Sequence, residues 1–313
     1  MDVIHTLPLF IRPENREADI AMAFECLKSL GASRDHHVVI YNQGSLSFEE
    51  VESLVTRSEV SADILGSGNN DGIAFARQAC FNYIEQQYPS VPFISEIHVD
   101  MLFPRNWYAP LISFLTSSDE PMICPGLLTA YGELQPLGKR IDLPSSPEAI
   151  LQLLEQLPRE GLKPGFVHPV LHRAELLREF GGYDVRFLQG TQGFEDDSLL
   201  LAYAYYMGTR SGWRPKCCLS SWVYHATLAQ RMSLPNFGTE VLRNEEGLAS
   251  QYGAYGFRQL SRLHGDHSGF RDLFHKYIPL RKSEELMTCE MQGTYQNQVW
   301  DRIWSGNVSY EWD

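Results

Sequence analysis

Apolar and polar positions switch between two periods over the first hundred residues. Residues 3–10 form a mostly apolar run that predicts a strand. Ile20, Ala23, Phe24, Leu27 and Leu30 then fall on one helical stripe with Gly31 just beyond it, which predicts a helix over 17–30. Residues 37–41 predict a second strand, closed by the turn signal Asn42-Gln43-Gly44-Ser45. A short helix follows over 48–55, a third strand over 62–65, a glycine-rich loop over 66–72 and a helix over 73–87. Residues 91–100 predict the fourth strand, rich in β-branched and aromatic residues. This order predicts an α/β fold, a mainly parallel sheet with helices on both faces. Ligands of such sheets bind beyond the carboxyl ends of the strands. Asn42, the 66–72 loop and Asp100 fall at those ends.

The fourth strand is the most informative. Alternation places Glu96, His98 and Asp100 on one face and Ile97, Val99 and Met101 on the other. Convergent polar groups on a buried strand cost stability unless they have a partner. A divalent metal with a phosphate-bearing ligand is one such partner; a solvated edge strand is the plainer reading.

The second half is less regular. Ser146-Pro147 opens a helix that runs to about Leu157, with Ser as N-cap and Pro in the first turn. A helix is predicted over 172–180, ended by Gly181-Gly182, and another over 198–207 behind Gly193-Phe194-Glu195-Asp196-Asp197. Residues 222–225 predict a short strand. Beyond about Pro235 the chain is polar, with scattered aromatic residues, and shows no interpretable motif.

Composition narrows the function. The net charge of −13 over 313 residues argues against a nucleic-acid partner or an anionic membrane surface. It leaves anionic small substrates open, because a metal reverses the field locally. The six cysteines form no CxxC pair, and Cys217-Cys218 are adjacent, which suits neither a bridge nor a zinc site. A reduced, cytoplasmic setting is expected. The N-terminal residues lack a signal-peptide pattern, and no apolar run reaches the length of about 18 residues that suggests a membrane span.

The order and spacing of these motifs resemble a family 2 glycosyltransferase of the GT-A fold over roughly residues 1–230. The strand ending in Pro8 resembles the first nucleotide-contacting loop. Asn42-Gln-Gly-Ser45 resembles an Asp-x-Gly-Ser turn that meets the base. Asn70-Asp-Gly72 with Arg77 resembles the segment bordering the donor. His98-Val-Asp100 stands at the Asp-x-Asp metal motif, and His225 resembles a later histidine on the metal or diphosphate side. Gly181-Gly-Tyr-Asp184 followed by Phe194-Glu-Asp196 resembles the acceptor segment. Two positions depart from the family pattern: Asn42 and His98 each replace an Asp. A His-x-Asp pair still suits a borderline ion such as Mn²⁺.

The resemblance implies an inverting transfer from a UDP- or dTDP-linked sugar to a glycan, lipid-linked or protein acceptor. Asp196 is then the general base with Glu195 beside it. Asp100, His98 and His225 hold Mn²⁺ or Mg²⁺. Pro8, Asn42, Asn70, Gly72, Arg77 and Trp107 contact substrate. Residues 1–235 form the catalytic domain, and 236–313 an extension for the acceptor side or self-association. Asp197 needs no such role, since acidic residues are favoured at a helix start. A GT-A-like binding protein that has lost catalysis is an alternative. A sugar-1-phosphate nucleotidyltransferase is a weaker one, because no glycine-rich basic loop follows the first strand.

Overall fold

The computed structural model describes residues 1–66, 68–159, 161–207, 212–226 and 236–278. The first half follows the alternation read from the sequence: strand β1 (Val3–Leu9), helix α1 (Arg16–Gly31), β2 (His36–Asn42), α2 (Phe48–Arg57), β3 (Ala62–Leu65), α3 (Ile73–Gln87) and β4 (Phe93–Glu96). Local chemistry fixes several of these boundaries. The Ser47 hydroxyl accepts from the Glu50 N–H while the Glu50 carboxylate accepts from the Ser47 N–H, a reciprocal cap on α2. Gly72 enters α3 at φ 90°, a conformation that glycine adopts without steric cost.

The four strands pair in parallel in the order β3-β2-β1-β4. Alternation along β1 sends neighbouring side chains to opposite faces. The Thr6 hydroxyl meets Arg77 of α3, while His5 packs on Trp107 and Tyr108, just ahead of helix α4 (Ala109–Thr116). Helices therefore cover both faces, as expected.

The second half extends the same sheet. A two-residue strand, β5 (Met101–Leu102), precedes α4. After it come β6 (Met122–Thr129), β7 (Glu133–Gln135), β8 (Lys139–Arg140), α5 (Pro147–Gln156), β9 (Leu162–Pro164), β10 (Val170–Arg173), α6 (Ala174–Phe180), α7 (Glu195–Tyr206), β11 (Lys216–His225), α8 (Phe237–Leu263) and α9 (Ser268–Tyr277). β10 runs antiparallel between β4 and β6, β11 runs parallel to β6, and β5 closes the edge antiparallel to β11.

Three sequence expectations are corrected. The helix expected over 172–180 begins as strand β10, because residues 170–173 fill the space between β4 and β6 and helix α6 starts only at Ala174. The strand expected over 222–225 reaches back to Lys216. The fourth strand stops at Glu96 rather than running to Asp100. Ile97 still donates its N–H to the Thr6 carbonyl at 3.1 Å, and its own carbonyl accepts from Arg77 at 3.0 Å. The chain then turns away, so Glu96 shares no strand face with His98 and Asp100.

The polar stretch beyond Pro235 is helical where it is described. α8 packs on α7 and α9, and its contacts reach the expected acceptor segment. Among the described residues, no helix is long and apolar enough to cross a membrane.

Candidate active site

A cavity of about 280 Å³ opens beyond the carboxyl ends of β1, β2 and β4. Pro8, Phe10, Gln43 and Asn70 line one wall. Residues 97–100 and His225 form another wall, and Phe166, His168, Gln192 and Asp196 face in from the second half. Two clusters of histidine and carboxylate meet here.

In the first cluster, the turn between β4 and β5 presents His98 and Asp100, and the end of β11 presents His225. The turn is tied down at both ends. The His98 carbonyl accepts from the Cys26 thiol, and the Asp100 carbonyl accepts from the Ala226 N–H at 2.8 Å. Asp100 Oδ1 lies 3.1 Å from His225 Nε2, and the His98 and His225 rings are 5.2 Å apart, edge to face. One ligand atom from each of the three residues lies within 4.8 Å of the others. Two imidazoles and a carboxylate, partly exposed to a cavity, form a donor set that fits a borderline divalent ion such as Mn²⁺.

In the second cluster, Glu96, His168 and Asp196 are equally close, but their surroundings differ. Glu96 is fully buried. Its carboxylate lies 3.1 Å from Arg77 Nε and 3.1 Å from His172 Nε2, and it accepts from the Tyr183 hydroxyl at 2.7 Å. Burial pushes the carboxyl up, yet Arg77 and His172 hold it below the usual range. The Tyr203 hydroxyl meets the far nitrogen of His172 at 2.8 Å and closes the network. His168 Nε2 contacts Asp196 Oδ1 at 2.9 Å. Burial presses the His168 pKa down, but Asp196 more than compensates, so the imidazole titrates above its ordinary value.

The structure separates the expected site residues into two groups. Asp196, Asp100, His98, His225, Pro8 and Asn70 share the cavity wall. Glu195 is buried at the start of α7. Asn42 is a correction: its amide donates to the Leu46 carbonyl at 2.9 Å and its Oδ1 accepts from the Gly44 N–H, so both ends hold its own turn. Gln43 takes the place in the cavity wall. Arg77 also lines the cavity, but its guanidinium is spent on Glu96, the Thr6 hydroxyl and the Ile97 carbonyl, which makes it a buried strut. Trp107 is core: it is 3% exposed, packed among His5, Phe103 and Tyr108. Gly72 meets the Thr191 backbone and shapes the loop. Asp197 has a specific partner, His264 at the end of α8, at 2.9 Å, and is more than a helix-terminus charge.

Four residues that motif reading passed over take part. His168 precedes β10 and carries no motif. Gln43 is 3% exposed and Gln192 is 2% exposed. Gln43 Oε1 and Gln192 Nε2 have no protein partner, and both residues line the cavity. Buried amide groups of this kind ask for a ligand. Asn244 of α8 is the fourth: fully buried, it donates to the Gly190 and Gly193 carbonyls at 3.3 and 2.8 Å and accepts from the Gly190 N–H at 2.6 Å. Phe194 stands at φ 62°, a costly conformation for a non-glycine residue, with its ring against Phe257 of α8. Helix α8 thus holds the loop that delivers Asp196.

No protein-family model matches the chain, and no curated protein sequence does. Among solved structures it is similar to S. aureus TarS 1-349, with TM-score 0.52 and 14% identity over 97% of this chain and 81% of that one. The same TarS fragment in complex with UDP-GlcNAc gives TM-score 0.53 at 12% identity and the same coverage. The fragment in complex with UDP gives 0.51 at 13%, over 84% of this chain and 70% of that one. At such identities the likeness speaks for architecture: this chain has the GT-A fold of glycosyltransferases.

Proposed function

We propose that the chain is a glycosyltransferase that moves a sugar from a nucleotide-sugar donor to an acceptor hydroxyl with inversion. The observation that carries the reading is one cavity, at the ligand-binding edge of a GT-A sheet, with a His-Asp-His cluster on one side and Asp196 on the other. TarS in complex with UDP and UDP-GlcNAc supports a UDP-linked donor over a dTDP-linked one.

Pro8, Asn70 and Gln43 receive the nucleoside, and the open Gln43 Oε1 accepts from the base edge. Asp100, His98 and His225 are the residues that would hold a divalent cation, Mn²⁺ ahead of Mg²⁺ because imidazole would supply two of the three ligands. When bound, that ion supplies positive charge opposite the departing diphosphate. Gln192 Nε2 donates to a substrate hydroxyl. Asp196, held at Oδ1 by His168, accepts the proton of the acceptor hydroxyl. The acceptor oxygen bonds to the anomeric carbon from the opposite face, and the bond to the diphosphate oxygen breaks with its electron pair. Glu195 stands beside Asp196, buried in the first turn of α7. The described part of the extension, residues 236–278, serves the acceptor side by holding the 187–197 segment; residues 279–313 lie outside the described residues. The five described cysteines are free and buried, which suits a reducing compartment such as the cytoplasm.

The test is UDP release from a panel of UDP-sugars with Mn²⁺ present, followed by the anomeric configuration of the product. Release with an inverted product supports the proposal. UDP binding with no turnover across the panel would favour the binding-protein alternative.

A further inference from the structure

Next to the active-site cavity lies a second one of about 380 Å³. The two share Gln135, Phe166 and Val167 as a common wall. The far side of the second cavity comes from the end of α8 around His264, with Glu133 and Arg214 at its edges. Phe166 is half-buried and stands between two imidazoles. His168 meets it edge to face at 5.5 Å and 83°, and His264 at 6.1 Å and 87°. Each imidazole contacts one of two consecutive carboxylates: His168 touches Asp196 and His264 touches Asp197, both at 2.9 Å. The aromatic ring is therefore set between contacts that lead to the proposed base and to its neighbour.

We propose that the second cavity is the acceptor subsite and that it takes a saccharide, whose pyranose ring lies against Phe166 while one hydroxyl reaches Asp196 across the shared wall. The inference rests on the transferase reading. A pyranose has an apolar C–H face and a polar rim. An aromatic ring offers the first a dispersion and burial contact, and Gln135 and Glu133 offer hydrogen-bond partners to the second. An acyl chain would need an unbroken apolar wall, which Glu133, Arg214 and His264 interrupt. The volume falls within the usual range for small-ligand cavities, about 300–1,000 Å³, and the shared wall of Gln135, Phe166 and Val167 sets it directly beside the cavity that Asp196 lines.

Binding is measured without turnover, by saturation-transfer NMR on the full chain with UDP and Mn²⁺ present. The probes are methyl pyranosides and disaccharides, with glycerol and a Ser/Thr peptide as competing acceptor classes. Saccharide signals are expected in the wild type, weakened at least about tenfold in Phe166→Ala and restored in Phe166→Tyr. Phe166→Leu keeps the bulk without the aromatic face and is expected to behave like the alanine variant, which guards against a loss caused by misfolding. Absence of saccharide binding, equal binding by Phe166→Ala, or preference for the peptide or glycerol would overturn the proposal. Binding of UDP, read separately by calorimetry, reports on the transferase reading and distinguishes its failure from that of the acceptor assignment.

Discussion

Two clusters of histidine and carboxylate lie within one cavity region, and their surroundings assign them different work. Glu96, in the second, is enclosed: Arg77, His172 and Tyr183 surround a carboxylate with no exposure to water. Asp100, in the first, faces the cavity with His98 and His225, and its side chain is 11% exposed. A buried carboxylate enclosed by an arginine, a histidine and a tyrosine hydroxyl holds a fold together. A cavity-lining one among imidazoles is available to a ligand. The comparison teaches that residue type alone does not mark a site; the number of partners already engaged does.

The largest expected effect comes from removing the enclosed Glu96 carboxylate. Glu96→Ala leaves the buried Arg77 without its counter-charge, and removing one partner of a buried pair typically costs about 3–5 kcal/mol. Urea unfolding should show a loss of that size, whereas Asp100→Asn should change stability by under about 1 kcal/mol. Equal stability losses at the two positions would erase the contrast. The second effect is catalytic. Asp196→Asn keeps the shape but removes the proton acceptor, and transfer should fall by about 10²–10⁴-fold with donor affinity retained. Asp197→Asn should lower transfer far less and instead loosen the link to His264 on α8, for about 1 kcal/mol or less. A severe transfer loss at Asp197 alone would move the base by one residue.

The most gradual effect concerns pH, and it sets Glu96 beside His5. Histidine 5 is fully buried against Trp107 and Tyr108, and neither ring nitrogen has a partner. Burial, with His36 and His37 nearby, drives its pKa well down, so the folded state holds it neutral. Below about pH 6.5 the unfolded chain binds a proton there that the folded chain does not, and stability falls by up to about 1.4 kcal/mol per pH unit. The depressed pKa of Glu96 acts in the same direction at lower pH: its contribution is present above the ordinary carboxylate range, about 4.3, and is lost as pH falls through the folded value. His5→Phe keeps a ring against Trp107 and should flatten the decline between pH 6.5 and 5 in urea midpoints. An unchanged slope would contradict the burial argument.

How far the sequence reveals this depends on whether a residue's role is local. The βα alternation of residues 1–96 was legible because periodicity and turn chemistry act over a few residues, as in the Ser47–Glu50 cap and Gly72. Asp100, His98, His225 and Asp196 were legible as candidates through motif order, and the fold now places them on one cavity. His168 was not, because its role depends on β10 inserting between β4 and β6, a pairing without a local signal. Asn42 and Arg77 misled for the opposite reason. Each matched a motif, but local turn bonds and the buried Glu96 engage the groups that a donor would need. The helical extension was illegible as function because Asn244 and His264 act on residues about 50 and 67 positions earlier.

The central claim is that the His98–Asp100–His225 cluster binds a divalent ion together with a nucleoside diphosphate. Isothermal titration of UDP into the wild type and into Asp100→Asn, each with and without Mn²⁺, tests it most directly. Mn²⁺ is expected to strengthen UDP binding to the wild type at least about tenfold and to leave binding to folded Asp100→Asn nearly unchanged. An equal Mn²⁺ enhancement in both proteins, or none in the wild type, would contradict it.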